Sequence, residues 1–383
     1  MIFASTLFTR AVDPVIPKIA ADLQVDLNSA ALLSTAYTLP YALVQPILGT
    51  FADFFGKTRL MNVSLFVVGL AALVCAIATS FHLLVAMRIV AGLVAGGVFP
   101  VAMALIGDLV PVQQRQVAIG RLLAIGLLGN LLGASIAGVI ADFIGWRGVF
   151  GVLGFFGLIV AITAFFAFRS IAVAKPTLPF NRAAVIAGFR GIFADPRAKV
   201  CFSAVFCEAV FIHGLFPFIA ILLLAAGEAR SAIAGLVIAS FGMGGILYSL
   251  LVSVLVARIS DRRLMIAGGT LAAIGLALTA LHFAWYVQVG IFFMMGFGFY
   301  LLHASIQVHV TELSSTARGS ATSLHSCFFY LGQAVGPIIY GFGFRHGGPE
   351  PSLLVGAVVV MMVGLVCSQL LRHRTASHSG ASH

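Results

Sequence analysis

What most constrains this chain is a succession of apolar runs, each near the length that crosses a bilayer. A helix needs about 20 mostly apolar residues to span a hydrocarbon core about 30 Å thick. Such runs occupy 1–17, 30–51, 60–79, 82–107, 117–141, 147–168, 199–225, 231–257, 264–282, 285–310, 319–344 and 351–371, twelve in all. Pro40, Pro46, Pro100, Pro217 and Pro337 lie inside them, which lipid tolerates because neighbouring helices re-satisfy the freed backbone groups. Composition agrees, with 61% hydrophobic and 9% charged residues, against about 45–50% and about 25% in soluble domains. So little charge cannot cover a water-facing surface. A set of soluble domains, a disordered chain and a secreted disulfide scaffold are therefore excluded. The first run reads as a span and not as a cleaved signal peptide. At 1.5 Å per residue it reaches only about 26 Å, which leaves room for a start further upstream.

The formal net charge is +10, which in a soluble protein would point to nucleic acid. Here the basic residues follow alternate loops instead. Of the 22 Lys and Arg, Lys18, Arg147, Arg230 and Arg345 fall in one set of loops, Arg10 and Arg88 fall inside spans, and the rest fall in the opposite set. Excess Lys and Arg marks the cytoplasmic side, so both termini are expected there, with an even number of spans. Cys75, Cys201, Cys207, Cys327 and Cys367 all sit in apolar runs and form no CxxC. They read as buried hydrophobes, not as disulfides or metal ligands.

The longest polar stretch, 169–198, divides the chain. The expected organisation is a six-helix bundle at 1–168, a cytoplasmic linker at 169–198, a second six-helix bundle at 199–371 and a polar cytoplasmic tail at 372–383. The halves repeat one another. Leu128-Gly129-Asn130-Leu131-Leu132-Gly133 matches Leu331-Gly332-Gln333-Ala334-Val335-Gly336, 203 residues later, and at that offset Arg115 falls on Arg318 and Gly138 on Gly341. Parallel six-span halves form a transporter architecture, with the substrate site between them near mid-membrane.

After the second span, Gly49-Thr-Phe-Ala-Asp53-Phe-Phe-Gly56-Lys57-Thr-Arg59 resembles motif A of the major facilitator superfamily, G-x-x-x-D-x-x-G-[RK]-[RK], with Arg59 displaced by one position. Three further patches are similar to motifs of its twelve-helix drug:proton antiporter branch. These are Asp13-Pro14-Val15-Ile16-Pro17, Arg88-Ile-Val-Ala-Gly92 and Gly129-Asn-Leu-Leu-Gly133-Ala134. The second has Ala91 for the usual Gln, and the third has Ala134 for the usual Pro; Gly336-Pro337 supplies a Gly-Pro in the eleventh span. The resemblance implies an all-α membrane protein with twelve transmembrane helices in two pseudo-symmetric six-helix bundles, the major facilitator fold. It implies that Gly49, Asp53, Gly56, Lys57 and Arg59 latch the halves on the cytoplasmic side. A positive-inside turn without a gating role is the plainer reading. Gly129, Gly133, Gly336 and Pro337 are expected to serve gating, either as close helix packing or as hinges.

Charges inside spans usually face a cavity or a partner, because each costs about 2.5–3.5 kcal/mol or more in lipid. Arg10 and Asp13 are spaced i, i+3 and can neutralise one another. Arg88 can bind an anionic group or a carboxylate. Glu208 lies near the middle of the seventh span, with no basic residue within a helical turn, and a carboxyl there can carry a proton. The resemblance places Glu208 and Arg88 before the same water, since the first, fourth, seventh and tenth spans line the cavity in that family. Polar stripes recur at helical spacing: Ser34, Tyr37 or Thr38, Tyr41 and Gln45; Tyr300, His303 and Gln307; Ser323, Ser326, Tyr330 and Gln333. Such faces meet water, ligand or each other. His303 and His309 lie about 240° apart round a helix and do not share a face as metal ligands would. His213 and His325 are lesser candidates for proton carriers.

No P-loop, G-x-G-x-x-G, HExxH, GxSxG or zinc spacing is present. An enzyme, a cofactor and a metal are not expected. The expected function is secondary active transport by alternating access in a bacterial inner membrane, proton-coupled; the resemblance implies export of a small amphipathic or drug-like molecule. Uptake or exchange of a small organic anion is the alternative. A scaffold, receptor or lipid flippase is the alternative of another class. The expected partners are a small-molecule substrate, protons and the bilayer, with no nucleic acid, and the chain is expected to be a monomer.

Overall fold

The computed structural model describes residues 1–168, 182–314 and 318–371; the side chains at 47–55, 112, 116, 182–185 and 318 lie outside that description. The described chain is helical, with no strand. The first span is broken into α1 (Ile2–Arg10), a 3-10 turn (Asp13–Val15) and α2 (Ile16–Leu23). α3 (Leu27–Phe55) and α4 (Lys57–Ala76) follow, then α5 (Phe81–Ala95) and α6 (Val98–Leu109), which together form the fourth span. α7 (Val112–Phe168) holds the fifth and sixth spans, which turn back on each other at Gly145, where φ is +77°. Gly56, at φ +84°, makes the equally tight joint between α3 and α4. A side chain at either position would be strained.

In the second half α9 (Pro196–Phe211), a 3-10 turn (His213–Leu215) and α10 (Phe216–Ala225) repeat the broken first span. α11 (Ser231–Arg258), α12 (Asp261–Thr279), α13 (Trp285–Glu312), α14 (Arg318–His346) and α15 (Pro349–Leu370) complete twelve spans. By length and apolarity alone, nine helices among the described residues are able to cross a membrane. The count falls short of twelve because α7 holds two spans, the first span is in pieces and α3 runs through residues outside the description. Phe143, Phe166, Leu250 and Phe342 project from the outside of the bundle, as a surface solvated by lipid allows.

Two sequence boundaries change. The first span ends at Leu23, not 17. Helix continues because its late charges find partners: Lys18 Nζ donates to Asp142 Oδ1 at 2.6 Å, and Asp22 accepts from Arg147 and from Trp146 Nε1. Within the segment read as linker, residues 182–194 form α8 (Arg182–Ala194). Its Ile192 is fully buried in one cluster with Phe202 and Leu324.

The internal repeat is a repeat of packing. A Cβ on Gly129 would meet Phe3 O and Thr6, and one on Gly133 would meet Leu7 O. A Cβ on Gly332 would meet Phe206 O and Ala209, and one on Gly336 would meet Val210 O. Every one of these partners is also displaced by 203 residues. The fifth span thus lies on the first as the eleventh lies on the seventh, backbone against backbone, which only glycine permits. Gly133→Val would place its Cβ 2.4 Å from Leu7 O. We expect it to cost more than about 3 kcal/mol by overpacking, read as loss of a cooperative thermal transition in detergent, with Val117→Ala on the exposed face as the unaffected control.

The halves meet along two seams. On one, Gly138 and Ala134 of α7 pack against Ser231 and Gly235 of α11. On the other, Thr35 Oγ1 donates to Ala334 O at 2.7 Å and the Tyr41 and Tyr330 rings lie 4.3 Å apart, joining α3 to α14. At one end of the molecule the contacts are polar. Asp142 of the first half accepts from Lys18 and also from the backbone N–H groups of Ser231 (3.0 Å) and Ala232 (2.9 Å), so it caps α11 from across the seam. Nearby, Asp26 caps α3 and lies 3.7 Å from Arg345. The Ser29 hydroxyl, with backbone N–H groups, holds the Asp26 carboxyl below the usual range. That cap contributes above the ordinary carboxylate range and is lost as pH falls through the lowered value.

Candidate transport site

Between the halves lies a cavity of about 330 Å³. Its first-half wall comes from Thr6, Thr9 and Arg10 of α1, Tyr41 and Gln45 of α3, and Asn130 of α7. Its second-half wall comes from His213, Phe216 and Phe241, from Phe299, Tyr300, His303 and Gln307 of α13, and from His325, Phe329, Tyr330 and Gln333 of α14. The lining falls on the parts of the spans away from the Lys18–Asp142–Ser231 contact, so the cavity lies toward the opposite end. Tyr41 and Gln45, Tyr300, His303 and Gln307, and Ser326, Tyr330 and Gln333 of the three polar stripes converge here, whereas Ser34 and Tyr37 turn to Asp13 and Arg88.

Of the charged candidates, only Arg10 lines the cavity. Arg10 donates to Asp13 (3.4 Å) and to Gln333 Oε1 (2.6 Å), and its guanidinium lies 4.6 Å from the centre of the Phe216 ring. It therefore ties the first span of one half to the eleventh of the other. Asp13 sits behind it, fully buried, and also accepts from the Ser34 hydroxyl. Arg88 does not reach the cavity. It is buried between the Leu33 and Phe8 carbonyls (3.3 and 3.4 Å), with its guanidinium 4.2 Å from the centre of the Tyr37 ring. The expectation that Arg88 and Glu208 face the same water is thus not met: backbone carbonyls of α1 and α3 take up the guanidinium of Arg88.

Glu208 is fully buried just behind the lining. One carboxylate oxygen is bonded to Nδ1 of His303, and the other, Oε2, has no protein partner. His303 lies 4.9 Å from His325, ring centre to ring centre, and His213 and His303 are interleaved with Phe299 and Phe329 at 4.7–5.1 Å. His213 Nδ1 and His325 Nε2 also lack protein partners. His309 points away and bonds Asp261 at 2.9 Å, as its angle from His303 requires. Among the described residues no His, Cys, Asp and Glu group is arranged to hold a metal.

At the motif A loop, Lys57 donates to Asp108 Oδ2 at 2.6 Å, which ties α4 to α6 within the first half, and Arg59 is exposed. Gly49 and the side chain of Asp53 lie outside the described residues. Pro337 follows Gly336 in α14, where Gly336 lies against Gly214. Sequence reasoning missed Lys18 and Asp142, which look like ordinary loop-end charges, and the convergence of three histidines from three spans.

Two six-helix halves round a mid-depth polar cavity define the fold of a secondary transporter. Matches to known proteins agree. The Major Facilitator Superfamily description matches residues 1–229 and 201–382, and the chain belongs to that superfamily; it is a membrane transporter, not an enzyme. It is similar to the Multidrug resistance protein 2 of Bacillus subtilis, 23% identical over 95% of this chain and 92% of that one. It is likewise similar to the Quinolone resistance protein NorA of Staphylococcus aureus, 26% identical over 95% and 93%. Among solved structures it resembles a bacterial homologue of the human lysosomal transporter Spinster, with a TM-score of 0.68 at 17% identity over 96% and 93%.

Proposed function

We propose that the chain is a proton-coupled exporter of small amphipathic molecules, acting as a monomer in the bacterial plasma membrane by alternating access. The observation that carries coupling is Glu208: a buried carboxyl joined to a cavity-lining imidazole, with its second oxygen unpartnered. A proton arriving from the cavity through His303 has one place to go, and its arrival changes the bond that holds His303 to the seventh span. Asp13 is the second candidate carrier, locked behind Arg10. Drug-resistance relatives support the export direction and the amphipathic class.

With both termini cytoplasmic, the Lys18–Asp142 end is the outer one and the structure is the inward-facing state. The small-residue seam between α7 and α11 and the seam between α3 and α14 are where the halves rock. Asp142 and Lys18 hold the outer seam, and Gly129, Gly133, Gly336 and Pro337 set the spans that pivot. Gly49, Asp53, Gly56, Lys57 and Arg59 take the inner latch when the site faces out.

The test is vesicle transport. Proteoliposomes with an acidic lumen, containing the purified chain, should accumulate a quinolone and alkalinise as they do so, and should do neither once the pH gradient is collapsed. Absence of gradient-dependent uptake of both a quinolone and ethidium, relative to protein-free vesicles, sinks the coupled-export reading.

A further inference from the structure

We infer that the cavity selects an aromatic anion, a flat ring system bearing a carboxylate or sulfonate, and that Arg10 is the residue that holds it. This rests on the transport reading and names the substrate class of the same site. Among the described lining residues Arg10 is the one fixed charge, and no Asp or Glu lines the cavity. The nearest carboxyls are withdrawn: Asp13 lies behind Arg10, and Glu208 lies behind His303. A lipophilic cation entering here would meet a guanidinium and no exposed carboxylate.

Arg10 also has capacity to spare. A guanidinium carries five N–H donors in a planar fork that matches two carboxylate oxygens. Arg10 spends one on Asp13 and one on Gln333. The remaining three have no protein partner, and the residue borders the cavity. The charge balance around it points the same way, since the buried core of the first half holds two cations, Arg10 and Arg88, and one carboxylate, Asp13, which pairs with Arg10. Across the cavity, the His213 and His325 rings line the wall, with no carboxylate among them to oppose an anion.

The rest of the wall is aromatic. Tyr41, Phe216, Phe299, Tyr300, Phe329 and Tyr330 offer ring faces and edges. A cavity of about 150 Å³ accepts one benzene ring, so the 330 Å³ here suits about two fused rings. An anion on the free N–H groups of Arg10 lies beside its bond to Gln333, which joins the two halves. Substrate charge thereby acts on a contact that holds the inward-facing state.

The probes are three molecules of one shape: 2-naphthoate, its neutral amide and 2-naphthylmethylammonium. Isothermal titration of the purified full chain should find naphthoate at least about 10-fold tighter than either analogue. Arg10→Gln with Asp13→Asn removes the ion pair as a unit and leaves Arg88 on the Leu33 and Phe8 carbonyls. That variant should lower naphthoate affinity to that of the amide and change amide affinity by less than about 3-fold. Naphthoate binding no tighter than the ammonium, absence of naphthoate binding, or equal loss of all three probes in the variant overturns the inference. The wild-type ranking decides it even when the variant fails to fold. Labelled probes in proteoliposomes separate the two readings. Naphthoate preference without flux sinks transport and keeps the site, whereas flux of the ammonium but not naphthoate sinks the site and keeps transport.

Discussion

Glu208→Gln should abolish gradient-driven accumulation, by about 100-fold or more, while leaving substrate–substrate exchange within about 3-fold. The magnitude is that of losing a positioned proton-transfer group. The side chain is fully buried and bonded to His303 Nδ1. Glutamine keeps the shape and one hydrogen bond to the imidazole but has no proton to release. Binding and rocking therefore survive and coupling does not. Counterflow and pH-driven uptake, measured on the same vesicles, separate the two, and equal loss of both would mean that Glu208 is structural. Asp13→Asn should behave differently. It leaves Arg10 without its carboxylate partner, and breaking a buried pair costs about 3–5 kcal/mol. A lowered melting temperature in detergent is the expected signature.

Asp142→Ala should shift the conformational equilibrium toward the outward-open state. Asp142 supplies the cap that α11 lacks from its own half, and it pairs with Lys18. Losing a helix cap costs about 0.5–2 kcal/mol, and losing a part-exposed ion pair about 0–1 kcal/mol. A net 1–2 kcal/mol changes a two-state ratio about 5- to 30-fold. Spin labels at Ala21 and Ala226, exposed on opposite sides of that seam, should report longer distances by pulsed electron resonance. An unchanged distance distribution would remove Asp142 from gating. Lys18→Met should move it the same way by less, since the backbone cap remains.

The span pattern was legible because it is one-dimensional. Run length against bilayer thickness, loop charge and the 203-residue repeat need no tertiary structure, and the packing of Gly129 and Gly133 on α1 repeats in Gly332 and Gly336 on α9 and its turn. The stripes of Tyr41 and Gln45, of Tyr300, His303 and Gln307, and of Tyr330 and Gln333 were legible as faces, because helical spacing states which residues share a side. What they face was not. Arg88 and Arg10 are alike in sequence, each a lone cation in an apolar run, yet one is absorbed by backbone carbonyls and the other lines the cavity.

The chain alone therefore determined the class of solvent, the number of crossings and the twofold construction, since these follow from how much apolar surface each segment must hide. Tertiary structure decided which few polar groups meet. The Glu208–His303 bond and the capping of α11 by Asp142 join residues 95 and 89 positions apart in the chain, and His213 meets Phe299 and Phe329 from another span. Their meeting depends on helix rotation and crossing, which glycine contacts at the seams set and which no local pattern encodes.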